Sequence, residues 1–159
     1  MAYPAMNKSY QQLRWNLSAC SDRRKSGAVR YIVIHYTGTT ATAENNCKYF
    51  SGGNRYASAD FFIGTGGVIW KYNANLGTRY SWHCGDGNGL YGITNYNSIG
   101  IEVVSAGKEY TTAQKESLRK LVRALMEDFN VPASRVVRHY DASRKTCPAP
   151  YAVTTAKYK

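Results

Sequence analysis

The hydrophobic and polar positions divide the chain into a few readable elements. Tyr31-Ile32-Val33-Ile34-His35 is an almost unbroken β-branched run, the pattern of a strand covered on both faces in the middle of an α/β sheet. Such a strand delivers His35 at its end. Phe61-Phe62-Ile63-Gly64 and Val68-Ile69-Trp70 flank Thr65-Gly66-Gly67 and predict two strands joined by a tight turn. From Ser98 to Val104 the alternation sends Ile99, Ile101 and Val103 to one face while Gly100 and Glu102 share the other, so a carboxylate lies inside an otherwise apolar strand.

A different period marks the helices. Thr42 to Phe50 predicts a short one, stopped by Gly52-Gly53. The clearest begins at Thr111 with Gln114 three residues on, the spacing of a capping box. Leu118, Leu121, Val122, Leu125 and Phe129 then recur at three and four residues, and Asn130 and Pro132 end the stripe. Arg135 to His139 predicts a last short strand with His139 at its end. Ser81 to Asn97 holds Gly85, Gly87, Gly89 and Gly92 among Asp86, Asn88 and Asn95, a density of turn formers that predicts a long surface loop. Residues 1–28 show no clear period, and the polar, basic stretch from Ser21 to Gly27 reads as a wrap leading into the first strand.

At 159 residues the chain has the size of one domain. Hydrophobic residues at 43% and charged residues at 19% fit a folded protein and exclude a disordered one, and no apolar run approaches a membrane span. Met1 to Tyr10 has no continuous apolar stretch and does not read as a secretory signal. Twenty-one Lys and Arg against ten Asp and Glu give a formal charge of +11, which suits a polyanionic partner or simply a well-solvated surface. That charge is dispersed, with no basic arm and no helix-turn-helix, finger or RNP-like motif, so a nucleic-acid-binding role rests on net charge alone. Tyr72, Tyr80, Tyr91 and Tyr96 fall in the middle of the chain, where they line a substrate groove or pack in the core. Cys20, Cys47, Cys84 and Cys147 form neither a CxxC pair nor a disulfide-dense pattern.

A catalytic zinc takes three protein ligands of His, Cys or carboxylate type and keeps a fourth position open. His35, His139 and Cys147 meet that count, two of them at strand ends and the third just before Pro148. A lone histidine more often serves as a hydrogen-bonded core or surface residue, and donors scattered this widely have no local signature, so the pattern leaves both readings open.

Four separated segments decide between them: Ile34-His35-Tyr36-Thr37-Gly38, Asn97-Ser98-Ile99-Gly100-Ile101-Glu102, Arg138-His139-Tyr140-Asp141 and Lys145-Thr146-Cys147-Pro148. In order and spacing, from about Val29 to Pro150, they resemble the N-acetylmuramoyl-L-alanine amidases of phage lysozymes, endolysins, bacterial autolysins and peptidoglycan recognition proteins. The resemblance implies an α/β fold with a central mixed sheet flanked by helices and a zinc site in a surface cleft, with Zn²⁺ held by His35, His139 and Cys147. It implies that Glu102 is the general base and acid and that Lys145 faces the developing oxyanion. Trp82-His83 resembles the family segment bordering the substrate groove, and Tyr36 joins these two as an expected substrate contact. The chain departs from many relatives at Ala59-Asp60-Phe61, where they have a histidine-containing segment; the catalytic tyrosine of the phage lysozyme branch would fall near Ala59, and its absence leaves the proton transfers to Glu102. Asp60 then orients a ligand indirectly or pairs with a basic neighbour, and Cys20, Cys47 and Cys84 are expected as packed or free thiols.

The implied function is hydrolysis of the amide between N-acetylmuramic acid and the L-alanine of the stem peptide in bacterial peptidoglycan, by an endolysin or autolysin. Anionic wall polymers are possible further partners, nucleic acid is not expected, and the state is a monomer. Residues 29–159 form the catalytic domain and 1–28 wrap it as part of one unit. Without a signal in this sequence the protein stays cytoplasmic until released, or is a cropped secreted domain, and acts on the wall. A non-catalytic peptidoglycan-binding module is the alternative, and retention of Cys147 with both histidines and Glu102 argues against it.

Overall fold

The structure, a computed structural model, describes residues 10–12 and 20–152. Its main sheet contains β1 (Tyr10–Gln12), β3 (Tyr31–Tyr36), β4 (Phe61–Ile63), β5 (Ile69–Lys71), β7 (Ser98–Val103) and β8 (Val136–Arg138), in the spatial order β1-β5-β4-β7-β3-β8. The strands β4, β7, β3 and β8 run parallel, β5 turns back antiparallel to β4, and β1 joins parallel to β5, so the sheet is mixed. Beside it, β2 (Ser21–Arg23) and β6 (Arg79–Ser81) form a two-stranded antiparallel pair.

Strand alternation gives the sheet two unlike faces. Ile32, Ile99, Ile101, Val103, Phe61 and Ile63 pack on one side with Leu121, Ala124 and Leu125 of α2 (Thr112–Phe129), and all of them are buried. Residues of the opposite parity, Val33, His35, Gly100, Glu102 and Phe62, look the other way. The register pairs His35 with Glu102 across β3 and β7, so an imidazole and a carboxylate lie side by side on that second face. One strand pattern thus produces both the apolar core and the floor of a polar cleft.

The helix ends follow local hydrogen bonding. Helix α1 (Ala43–Ser51) is capped by Thr42, whose hydroxyl accepts from the Asn45 amide at 3.1 Å. Helix α2 opens with a reciprocal box, the Thr111 hydroxyl accepting from the Gln114 amide at 3.1 Å and the Gln114 carboxamide oxygen accepting from the Thr111 amide at 3.0 Å. Asn130 closes it in the left-handed region at φ 54°. The Thr111 hydroxyl also donates to the Thr65 carbonyl at 2.7 Å and so ties the helix to the turn between β4 and β5. Thr111→Ala is expected to lower the unfolding free energy by about 1–2 kcal/mol, read as a shift of the urea midpoint at unchanged slope.

Three expectations are corrected. The last strand stops at Arg138, and His139 opens the short helix α3 (His139–Ser143), because the Asp141 carboxylate accepts from the Arg138 amide at 2.8 Å and turns the chain. The basic wrap is not all surface: Ser21–Arg23 is a strand, and Arg24 is buried, donating to the Leu76 carbonyl at 2.8 Å and the Ser98 carbonyl at 2.7 Å. The stretch from Ser81 to Asn97 begins in β6, and its turns let His83, Cys84, Gly87 and Ile93 point inward. No helix among the described residues is long and apolar enough to cross a membrane.

Candidate metal centre

His35 leaves the end of β3, His139 begins α3 beside β8, and Cys147 follows the turn after α3. The Cys147 carbonyl accepts from the Tyr140 amide at 2.9 Å, which holds the cysteine segment against the helix, and the Tyr110 hydroxyl donates to the His35 carbonyl at 3.0 Å. One donor atom from each of the three residues lies within 4.8 Å of the others, and all three side chains are buried. The two Nδ1 atoms of His35 and His139 are 3.1 Å apart, and the Cys147 sulfur is 3.8 Å from Nδ1 of His35.

This donor set fits zinc. At Zn–N distances of about 2.0–2.1 Å, two imidazole nitrogens at a tetrahedral angle stand about 3.3 Å apart. The outer nitrogens are already engaged: His139 Nε2 meets the Asp86 carboxylate at 2.7 Å and His35 Nε2 meets His83 Nδ1 at 2.9 Å. The inner nitrogens converge on one point with the sulfur. Burial, with the neighbouring His83, His139 and Lys145 adding to it, drives the pKa of His35 well below its ordinary value, so the ring is neutral and able to donate a lone pair. Burial likewise lowers His139, opposed by the Asp86 hydrogen bond, and pushes the Cys147 thiol up to about 12. In the metal-free protein this sulfur is a thiol, and only a cation makes it a thiolate at neutral pH.

Glu102 shares the cleft floor, its Oε1 3.8 Å from Nδ1 of His35 and its side chain 19% exposed. Burial raises its pKa to about 8, against a lowering by the charge of Lys145, and Oε2 has no hydrogen-bond partner among the described residues. No arginine pairs with it among the described ion pairs, so Glu102 is not held as a structural carboxylate. The cleft has a volume of about 260 Å³, and its lining includes all eight residues singled out in the sequence: His35, Tyr36, Trp82, His83, Glu102, His139, Lys145 and Cys147. Thr37, Gly38, Phe50, Ala57 and Ser58 complete it.

The four tyrosines considered for a groove are not among that lining. Tyr72 is buried in the core, Tyr80 and Tyr96 pack edge to face on each other, and Tyr91 stacks under Arg144. Asp60 is fully buried, accepting from the Gly100 amide and the Asn73 amide group at 2.8 Å each, with Arg24 the largest influence holding its charge against burial. It pins β7 beneath the cleft. Cys20, Cys47 and Cys84 are free and buried. Asp86 escaped the sequence reading: it sits in a Gly-rich loop where a carboxylate ordinarily means a turn, and nothing local shows that the loop folds onto His139.

Residues 25–150 match the family model described as N-acetylmuramoyl-L-alanine amidase. Among curated relatives, the N-acetylmuramoyl-L-alanine amidase CwlA of Bacillus subtilis is 34% identical over 121 residues, covering 74% of this chain and 42% of that protein. XlyB of the same organism, also named an N-acetylmuramoyl-L-alanine amidase, is 33% identical over 124 residues, covering 76% of this chain and 37% of the other. The chain therefore spans about two fifths of the length of these relatives. Among solved structures, the catalytic domain of XlyA superposes with a TM-score of 0.72 at 27% identity, over 87% of this chain and 89% of that one. PlyL gives 0.71 at 26% identity, over 87% and 84%. Motif order, mixed-sheet topology and the convergence of two histidines with a cysteine agree with the family match: the chain belongs to the N-acetylmuramoyl-L-alanine amidase family.

Proposed function

We propose that this domain hydrolyses the amide joining the lactyl group of N-acetylmuramic acid to L-alanine of the stem peptide in bacterial peptidoglycan, acting on the wall as an endolysin or autolysin does. The observation that carries the reading is the convergence of His35, His139 and Cys147 on one point beside a carboxylate that is nearly buried yet opens to the cleft. His35, His139 and Cys147 would hold zinc, which when bound would supply a Lewis acid for the amide carbonyl and for water.

The chain's own residues do the rest. Glu102, beside the three donors and with one oxygen unpartnered among the described residues, accepts a proton from the attacking water and returns it to the leaving alanine nitrogen. The Lys145 ammonium at the cleft rim offsets the charge that grows on the carbonyl oxygen. Trp82, Tyr36 and Phe50 give the cleft apolar walls against which a muramyl peptide packs, and they exclude water around the bond. One proton passes from water through Glu102 to the leaving nitrogen, a C–O bond forms as the C–N bond breaks, and nothing becomes covalently attached to the protein.

Digestion of purified peptidoglycan tests this directly. Mass spectrometry is expected to find intact glycan strands and free stem peptides beginning with L-alanine, and a chelator is expected to abolish their release. Products cut between sugars, or within the stem peptide, would refute the assignment.

A further inference from the structure

His83 is not one of the three donors, yet the residue is only 8% exposed and its ring lies directly behind His35. The chain makes room for it. A Cβ at position 100 would stand 2.4 Å from the His83 ring, so only glycine lets the imidazole rest on β7. The Asn95 side-chain oxygen accepts from the amides of His83 and Cys84 at 3.0 and 2.7 Å, fixing the loop that carries the ring.

The hydrogen bonds around this ring run in one direction. A main-chain carbonyl can only accept, so the Ser98 hydroxyl, 2.5 Å from the Thr94 carbonyl, commits its single proton there. The Ser98 oxygen must then accept from Nε2 of His83, 2.9 Å away; it retains a second lone pair for the Cys84 sulfur at 3.9 Å. Among the described residues no carboxylate contacts the His83 ring, and a neutral imidazole with its proton on Nε2 has a bare Nδ1. That bare nitrogen stands 2.9 Å from Nε2 of His35, which therefore carries the proton of its own ring. What remains on His35 is an unprotonated Nδ1 turned toward His139 and Cys147.

We propose that His83 and Ser98 are positioning residues that set the tautomer of His35: a relay from the Thr94 carbonyl through Ser98 and His83 presents the Nδ1 lone pair of His35 to the metal. The inference rests on the reading of this cluster as a zinc centre. It gives the two histidines different supports. His139 is oriented by the carboxylate of Asp86, while His35 is oriented by neutral groups that add no negative charge beside the bond to be attacked. A ring free to place its proton on Nδ1 loses its donor atom in that tautomer, and removing such a support typically weakens metal binding about 10- to 100-fold.

Long-range ¹H–¹⁵N correlation of the histidine side chains in the metal-free protein reads the tautomers, and competition with a chromophoric chelator reads zinc affinity. Wild-type His35 is expected in the Nε2–H form alone. In His83→Leu it is expected as a mixture of tautomers with zinc affinity about 10- to 100-fold weaker. His83→Asn, whose side-chain oxygen replaces Nδ1 as acceptor, is expected to restore the single tautomer and most of the affinity. Ser98→Ala frees the proton position of His83 and is expected to give mixed tautomers at both rings. His35 found as Nδ1–H in the wild type overturns the relay, and this spectrum needs no variant to fold. So does a His83→Leu protein with a single Nε2–H form and unchanged affinity. A wild-type protein with the expected tautomers but no stoichiometric zinc would refute the zinc reading and leave the relay standing.

Discussion

Glu102→Gln is expected to lower kcat on a soluble muramyl peptide by about 10²–10⁴-fold, the range for loss of a positioned proton carrier, while stoichiometric zinc binding persists. Glutamine keeps the shape of the side chain and leaves the β3–β7 ladder untouched, so the loss reports chemistry and not refolding of the cleft. The same variant has an opposite effect on stability. The folded protein raises the Glu102 pKa from 4.5 to about 8, chiefly through burial, and so disfavours the ionised form. Its contribution to stability is whole below pH 4.5 and is lost as pH rises through about 8. Metal-free Glu102→Gln is therefore expected to be more stable than metal-free wild type at pH 9, by an amount of order a few kcal/mol, and equally stable near pH 4. Scanning calorimetry at the two pH values checks this, and a destabilised variant at pH 9 would show that the carboxylate is held by a partner. Loss of turnover with gain of stability identifies a group whose position serves the reaction at the expense of the fold.

Much of this arrangement was legible in the sequence because its signals are local. The alternation in Ser98 to Val103 stated which face Glu102 would occupy, and the β-branched run ending at His35 placed that residue at the end of a central strand. The stripe and capping box at Thr111 fixed the long helix to within a residue. These patterns record contacts between a residue and its near neighbours, or between one face and a core. The three donors are different. Their spacing along the chain held no metal signal, and only the likeness of four segments to a known family joined them.

What escaped reading depends on contacts between distant, weakly patterned segments. Ser21–Arg23 is too short and polar to announce a strand, yet it pairs with Arg79–Ser81. Arg24, which looked like part of a basic surface, is buried because two carbonyls and the field of Asp60 stabilise its charge. The same holds for the loop after Ser81: its glycines and asparagines said that the chain turns, and not that the turns carry Asp86 to His139 and His83 to His35. The strand pattern thus placed His35 on the sheet but not the groups that meet His35 and His139. Turn formers specify backbone conformation, whereas the partners of a buried imidazole are specified by the whole fold.

Removal of the metal is expected to have the largest effect of all, because the buried donor set is poorly satisfied without a cation. The Nδ1 atoms of His35 and His139 stand 3.1 Å apart, with a buried thiol 3.8 Å from Nδ1 of His35. Zinc at about 1,000 times its Kd should add about 4 kcal/mol to the folded state, which for a domain of this size corresponds to roughly 8–16 °C in Tm. A chelator should therefore abolish activity and lower Tm together, and zinc should restore both. Cys147→Ala keeps both histidines but removes the anionic donor, so its Tm should respond little to zinc and its activity should fall to background. Proton release separates a true ligand from a bystander. With the thiol raised to about 12, binding at pH 7 must displace its proton, so zinc affinity in the wild type should strengthen with rising pH, and calorimetry in buffers of different ionisation heat should count that proton. Cys147→Ala should release about one proton fewer per zinc. Equal proton counts in the two proteins, with equal affinities, would remove Cys147 from the coordination sphere and leave two histidines too few to hold a catalytic ion on their own.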